Sequence, residues 1–186
     1  MRLLKPEDIQ QIGGGDIPLL VLVDNLRGLF AWRIKSHTRG YYSHAMWMIE
    51  PGQCASQELW YRRVAIMRLV DGAHRLKFWH NPTWDWQSRV RLVTAAERKL
   101  TRPRWRTLYD WLGILGHRLG LRRLQIPWWD YCSEDAGELL RIVEPSFDVK
   151  HPTPAEINAW CKANHQMMVF GLYDPDLVLK TRNRRR

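Results

Sequence analysis

Cysteine is scarce in this chain and widely scattered: Cys54, Cys132 and Cys161 are an odd three. That excludes a disulfide framework and a cysteine-rich zinc site, and it fits a reducing compartment. Long apolar runs are missing too. Leu19 to Val23 has only the length of a strand, too short to cross a bilayer, and no apolar run follows the opening Met1-Arg2-Leu3-Leu4-Lys5-Pro6 to serve as a secretory signal. The expected location is the cytoplasm, with no transmembrane segment. Zinc-finger spacing, an RNP motif and zipper heptads are all absent, so no nucleic-acid module is recognisable. The glycines Gly13, Gly14 and Gly15 precede a strand and no Gly-Lys-Ser/Thr follows them, which rules out a phosphate loop. There are no internal repeats, and the only biased stretch is the tail Arg182-Asn183-Arg184-Arg185-Arg186.

Acidic residues are outnumbered by basic ones, leaving a net charge of +10. Such a field favours anionic surroundings: nucleic acid, acidic lipid headgroups or an anionic cell-wall polymer. With 186 residues, 45% of them apolar, the chain suits one domain with a full core, spanning residues 1–180 and followed by a basic tail at 181–186. Its eleven tryptophans concentrate between Trp79 and Trp129, either to fill a core or to wall a cleft that stacks on a ligand.

Periodicity predicts an α+β fold. Ile17 to Val23 reads as a buried strand, and Asp24 or Asn25 caps a helix from Leu26 to about Ser36. Tyr41 to Ile49 is a strand, Pro51-Gly52 a tight turn, and Cys54 to Tyr61 the returning partner of a hairpin. Along the first of these strands, alternation puts His44, Met46 and Met48 on one face and Ala45, Trp47 and Ile49 on the other. Val64 to Val70 and His74 to Trp79 add two strands around Asp71-Gly72, so the sheet is largely antiparallel. Thr94 with Glu97 resembles a capping box, and Pro103 opens a further helix weakened by Gly113, Gly116 and Gly120. A helix follows Cys132, another runs from Thr153 or Pro154 to about His165, and a strand over Met167 to Tyr173 leads to an Asp-Pro turn.

The stretch Pro127-Trp128-Trp129-Asp130-Tyr131-Cys132-Ser133-Glu134 is where chemistry concentrates. An aromatic run meets a cysteine, and small and acidic residues then start an amphipathic helix with Ala136, Leu139, Leu140 and Val143 inside. A thiol at a helix N-terminus is favoured as thiolate by the dipole and free N–H groups there, which makes Cys132 a candidate nucleophile; the alternative is ordinary packing beside aromatics. A nucleophile requires a base. Of seven histidines, His44 stands at the head of a strand between small Ser43 and Ala45, where its ring has open space, although a satisfied sheet-edge histidine is the bland alternative.

The run Arg33-Ile34-Lys35-Ser36-His37-Thr38-Arg39-Gly40-Tyr41-Tyr42-Ser43-His44-Ala45, then Pro51-Gly52 and Ser56-Gln57-Glu58, then Tyr131-Cys132-Ser133-Glu134, resembles the circularly permuted papain-like hydrolases. These are the YiiX-like relatives of the NlpC cell-wall peptidases, kin to lecithin:retinol acyltransferase. The resemblance covers His37 to about Glu138, with Ile12 to Val23 similar to the family's opening strand and Thr153-Pro154 similar to the start of its closing helix. It departs at Ala45-Met46, where the family commonly has a small pair such as Val-Gly.

The resemblance implies a permuted papain-like (NlpC-type) fold and a cofactor-free, metal-free cysteine peptidase or amidase acting on peptide or peptidoglycan amide bonds, with thioesterase or acyltransferase chemistry within the same mechanism. A phage-encoded enzyme acting from the host cytoplasm or a virion is compatible with it. Cys132 is then the nucleophile and His44 the base. The third catalytic position falls on Ser56 or, with one inserted residue, on Gln57, with Glu58 adjacent; alternation allows Ser56 and Glu58 together or Gln57, and Gln57 is preferred because it fixes the imidazole tautomer without adding charge. Trp128, Trp129 and Tyr131 wall the cleft or belong to the core, and Glu134 binds a substrate amine or supports the helix N-terminus. The competing class is non-enzymatic: a basic, Trp-rich protein that binds nucleic acid or a virion component.

Overall fold

The computed structural model of the chain describes residues 2–27, 32, 34–36, 40–104 and 132–183. At its centre lies the apolar run read as a strand, β1 (Leu19–Asn25), and this residue content is what a strand buried on both faces requires. β2 (His44–Glu50), β3 (Gln53–Gln57), β4 (Tyr61–Ala65), β5 (His74–His80) and β6 (Met168–Tyr173) complete a six-stranded sheet in the order β4-β3-β2-β1-β5-β6. Every pairing is antiparallel. The β2–β3 hairpin turns at Pro51-Gly52, where Gly52 takes φ +72°, a left-handed conformation that glycine adopts without steric cost.

Strand alternation divides the core into two. Leu20, Leu22, Ala45, Trp47 and Ile49 meet α2 (Trp86–Leu100), α3 (Cys132–Val143) and α4 (Pro154–Ala163) through Leu92, Ala96, Ala136, Leu139, Leu140 and Ile157. On the opposite face Leu19, Val21, Val23, Met46, Met48 and Cys54 pack with Leu4, with Ile9 of α1 (Pro6–Gln10) and with Val178 of α5 (Pro175–Asn183). The division of β2 is the one its sequence predicts. The fold is therefore α+β, with a six-stranded antiparallel sheet between helices.

Several boundaries move. The strand expected from Tyr41 begins at His44. The expected strand Val64 to Val70 is instead the end of β4 and a 3-10 turn over Ile66–Leu69, because pairing with β3 runs out at Gln53↔Ala65. The helix expected from Thr94 starts earlier, at Trp86, where Asp85 Oδ1 accepts the Ser88 N–H at 2.7 Å; Thr94 and Glu97 lie inside it. Asp174-Pro175 starts a helix rather than a turn, with Asp174 Oδ1 accepting the Asp176 N–H at 3.0 Å and proline at the first helical position, and α5 runs on into the expected tail. Thr153 caps α4 as expected: its hydroxyl accepts from Glu156 N at 3.2 Å while Glu156 Oε2 accepts from Thr153 N at 2.8 Å. Of the helix expected over Leu26 to Ser36, Leu26 and Arg27 form a bend after β1, which takes up the expected caps Asp24 and Asn25, while Trp32 and Ile34–Ser36 are helical. The helix expected after Pro103 lies mostly outside the described residues, as do Trp128, Trp129 and Tyr131. Among the described residues no helix is long and apolar enough to cross a membrane.

Candidate active site

His44 is the first residue of β2, and the chain is pinned as it enters the strand. Ser43 N donates to Val23 O at 2.8 Å, and Ser43 Oγ accepts from Asn25 N at 3.3 Å. The half-buried imidazole then places Nε2 2.7 Å from Ser56 Oγ on β3. Ser56 is fully buried, so this bond is shielded from competing water. Burial pushes the His44 pKa down to about 4, outweighing the nearby negative charges of Glu58 and Asp135 that pull it up. The ring is neutral at neutral pH. The Ser56 hydroxyl engages Nε2, which leaves Nδ1 as the other nitrogen through which the ring can exchange a proton.

The described hydrogen-bond partner of the ring is Ser56, next to the Gln57 expected to orient it. Pairing of Trp47 with Ala55 and Met48 with Cys54 sets Ser56 on the face of Met46 and His44, and turns the neighbouring buried Gln57 to the opposite face. Glu58, on the same side as Ser56 by alternation, forms an ion pair with Arg62 and acts on the imidazole by charge alone.

Cys132 opens α3 and is buried, with Ser133, Asp135 and Ala136 behind it. The helix is held on the sheet by Leu139, Leu140 and Ala136, whose carbonyl accepts the Trp47 Nε1–H at 3.0 Å. Gly137 lets the loop after α3 come close: a Cβ there would stand 2.6 Å from Pro152 Cγ. Both carboxylates of the first turn are matched from outside the helix. Asp135 pairs with buried Lys99 at 2.5 Å, Lys99 also pairs with Glu138, and Glu134 Oε1 lies 2.5 Å from Nδ1 of His151. The Lys99 ammonium offsets the charge of Asp135 at the helix N-terminus. Glu134 is thus engaged with a histidine of the following loop, which sits at φ +50°.

Asp135 in the first turn of α3 bears electrostatically on the ring. Alternation turns His44 to the face of Met46 and Met48, whereas α3 covers the face of Trp47. The other thiols are of a different kind: Cys54 and Cys161 are fully buried in the two cores, and burial pushes both far above the ordinary thiol range.

Three polar features escaped sequence reasoning. These are the buried Lys99–Asp135 pair, the His151–Glu134 pair, and Glu144, which accepts from Asn81 Nδ2 at 2.6 Å and Trp84 Nε1 at 2.8 Å. Each joins residues far apart in the chain or leans on a loop, and no local motif announces such contacts. Among the described residues no group of three or more His, Cys, Asp or Glu side chains could hold a metal ion. No protein-family model matches the chain, and no curated protein matches it either.

Proposed function

We propose that the chain is a cysteine hydrolase of the permuted papain-like type, cleaving an amide bond of a peptide or of a peptidoglycan stem peptide. The observation that carries this is the buried Ser56–His44 bond, taken with a cysteine, Cys132, that opens α3. A serine hydroxyl on one ring nitrogen orients the imidazole without adding charge and leaves the other nitrogen to exchange a proton with a thiol. Cys132 Sγ attacks the carbonyl carbon while His44 takes the thiol proton. The C–N bond then breaks as His44 gives that proton to the leaving amine, and water, activated by the same ring, releases the acid from the acyl-enzyme. The Cys132 backbone N–H, at the α3 N-terminus, supports the oxyanion. The order of elements also favours the family: a histidine strand, its hairpin partner with a polar residue, then a cysteine helix.

The test is trapping of the acyl-enzyme. Incubation with p-nitrophenyl acetate should yield an acetyl adduct on Cys132 by peptide mass spectrometry, absent in Cys132→Ala and strongly reduced in His44→Gln. An adduct spread evenly over cysteines and lysines, unchanged in His44→Gln, would overturn the proposal. Ser56→Ala should slow acylation without removing the adduct, because it loosens the ring rather than deleting the base.

A further inference from the structure

On β5 a lysine is buried without a counter-ion among the described residues. Lys77 is only 7% exposed, and its Nζ donates to Asn158 Oδ1 of α4 at 3.3 Å and stands 4.1 Å from the centroid of the Trp79 ring. Among the described residues no carboxylate pairs with it. Buried lysines are ordinarily paired, and an unpaired ammonium in such a place is costly. The surroundings deepen the anomaly. Lys162, one turn after Asn158 on α4, adds a second positive charge that disfavours the first, and the neighbouring Cys161 thiol is held protonated by burial. Trp79, two residues along the same face of β5, is 3% exposed, and its indole N–H is buried with no acceptor. Glu144, the acid that bears on Cys161, already accepts from Asn81 and Trp84.

Two ammonium groups and an orphaned indole donor are thus gathered with a single amide oxygen as acceptor. The face of Trp79 answers the charge of Lys77 on one side only, and leaves its own N–H unanswered. We propose that Lys77, Lys162 and the Trp79 N–H bind a small oxyanion, a carboxylate or phosphate group, between β5 and α4. Its oxygens accept from Trp79 Nε1 and Lys77 Nζ, and exposed Lys162 closes the charge balance at the solvent side. The site is independent of the Cys132 chemistry.

The experiment follows indole N–H resonances of the whole chain by NMR as inorganic phosphate is added, with acetate in a parallel arm and chloride at matched ionic strength as control. The Trp79 signal is identified by its disappearance in Trp79→Phe. It should move saturably with phosphate or with acetate and stay still with chloride; which of the two binds more tightly identifies the headgroup. In Lys77→Met the midpoint should rise at least about tenfold. A Trp79 signal indifferent to both oxyanions, or an equal response in Lys77→Met, overturns the site. Should Lys77→Met fail to fold, exposed Lys162→Met serves instead: a several-fold weaker midpoint supports the site and an unchanged one overturns it.

Discussion

His44 ties the stability of the fold to pH in a way that isolates its burial. Its pKa falls from 6.5 to about 4 on folding, chiefly through desolvation. Between those values the unfolded chain binds a proton that the folded chain refuses. The stabilising contribution is therefore complete above the unfolded pKa and is lost as pH falls toward the folded one. At roughly 1.4 kcal/mol per pKa unit, the full loss is about 3 kcal/mol, and about 2 kcal/mol is gone by about pH 5. Urea unfolding of the wild type and of His44→Gln, at about pH 7 and about pH 5, reads this directly. The other acidic and histidine groups with lowered pKa values, Asp8, Asp71, His80 and Asp85, are present in both proteins and cancel in the difference. The wild type should lose about 2 kcal/mol more than the variant on acidification. Equal losses, or an imidazole signal of His44 that titrates near its ordinary value, would refute the burial and the neutral ring deduced from it.

Two further outcomes follow from the packing of α3. Lys99→Met removes the buried cation that pairs with the Asp135 carboxylate and should cost about 3–5 kcal/mol in thermal or urea unfolding, with a smaller loss when Asp135→Asn is added; a cost under about 1 kcal/mol would mean that the pair is not buried as described. Gly137→Ala gains helix propensity, yet its Cβ would meet Pro152 Cγ at 2.6 Å and Phe147 Cε1 at 3.0 Å. A net destabilisation of about 1–2 kcal/mol is expected, and a stabilised variant would contradict the tight approach of that loop.

What could be read from the chain itself was whatever local period or chemistry decides. Alternation in β2 assigned Met46 and Met48 to one core and Trp47 and Ile49 to the other, and Thr153 with Glu156 marked the start of α4. Where an outcome depends on a partner, local pattern was insufficient. The apolar stretch Ile66 to Val70 suits a strand or a turn equally, and only the length of β3 decides. A one-residue uncertainty in the hairpin exchanged Ser56 for Gln57, because a strand reverses its facing at every residue. Asp85 capped α2 unnoticed, since the mixed sequence Trp86-Gln87-Ser88 lacks the apolar spacing by which helices are recognised. The pairing of Lys99 with Asp135 spans two helices and has no sequence signature.

The central claim is that the imidazole at the end of β2 serves the thiol at the start of α3. It is tested most directly by the alkylation rate of each cysteine with iodoacetamide near neutral pH, followed by peptide mass spectrometry in the wild type and in His44→Gln. Cys54 and Cys161, whose thiols burial holds protonated, should react slowly in both. Cys132 should be modified much faster than either, and that advantage should vanish in His44→Gln. Three equal rates, or a fast Cys132 indifferent to the loss of His44, would contradict the account.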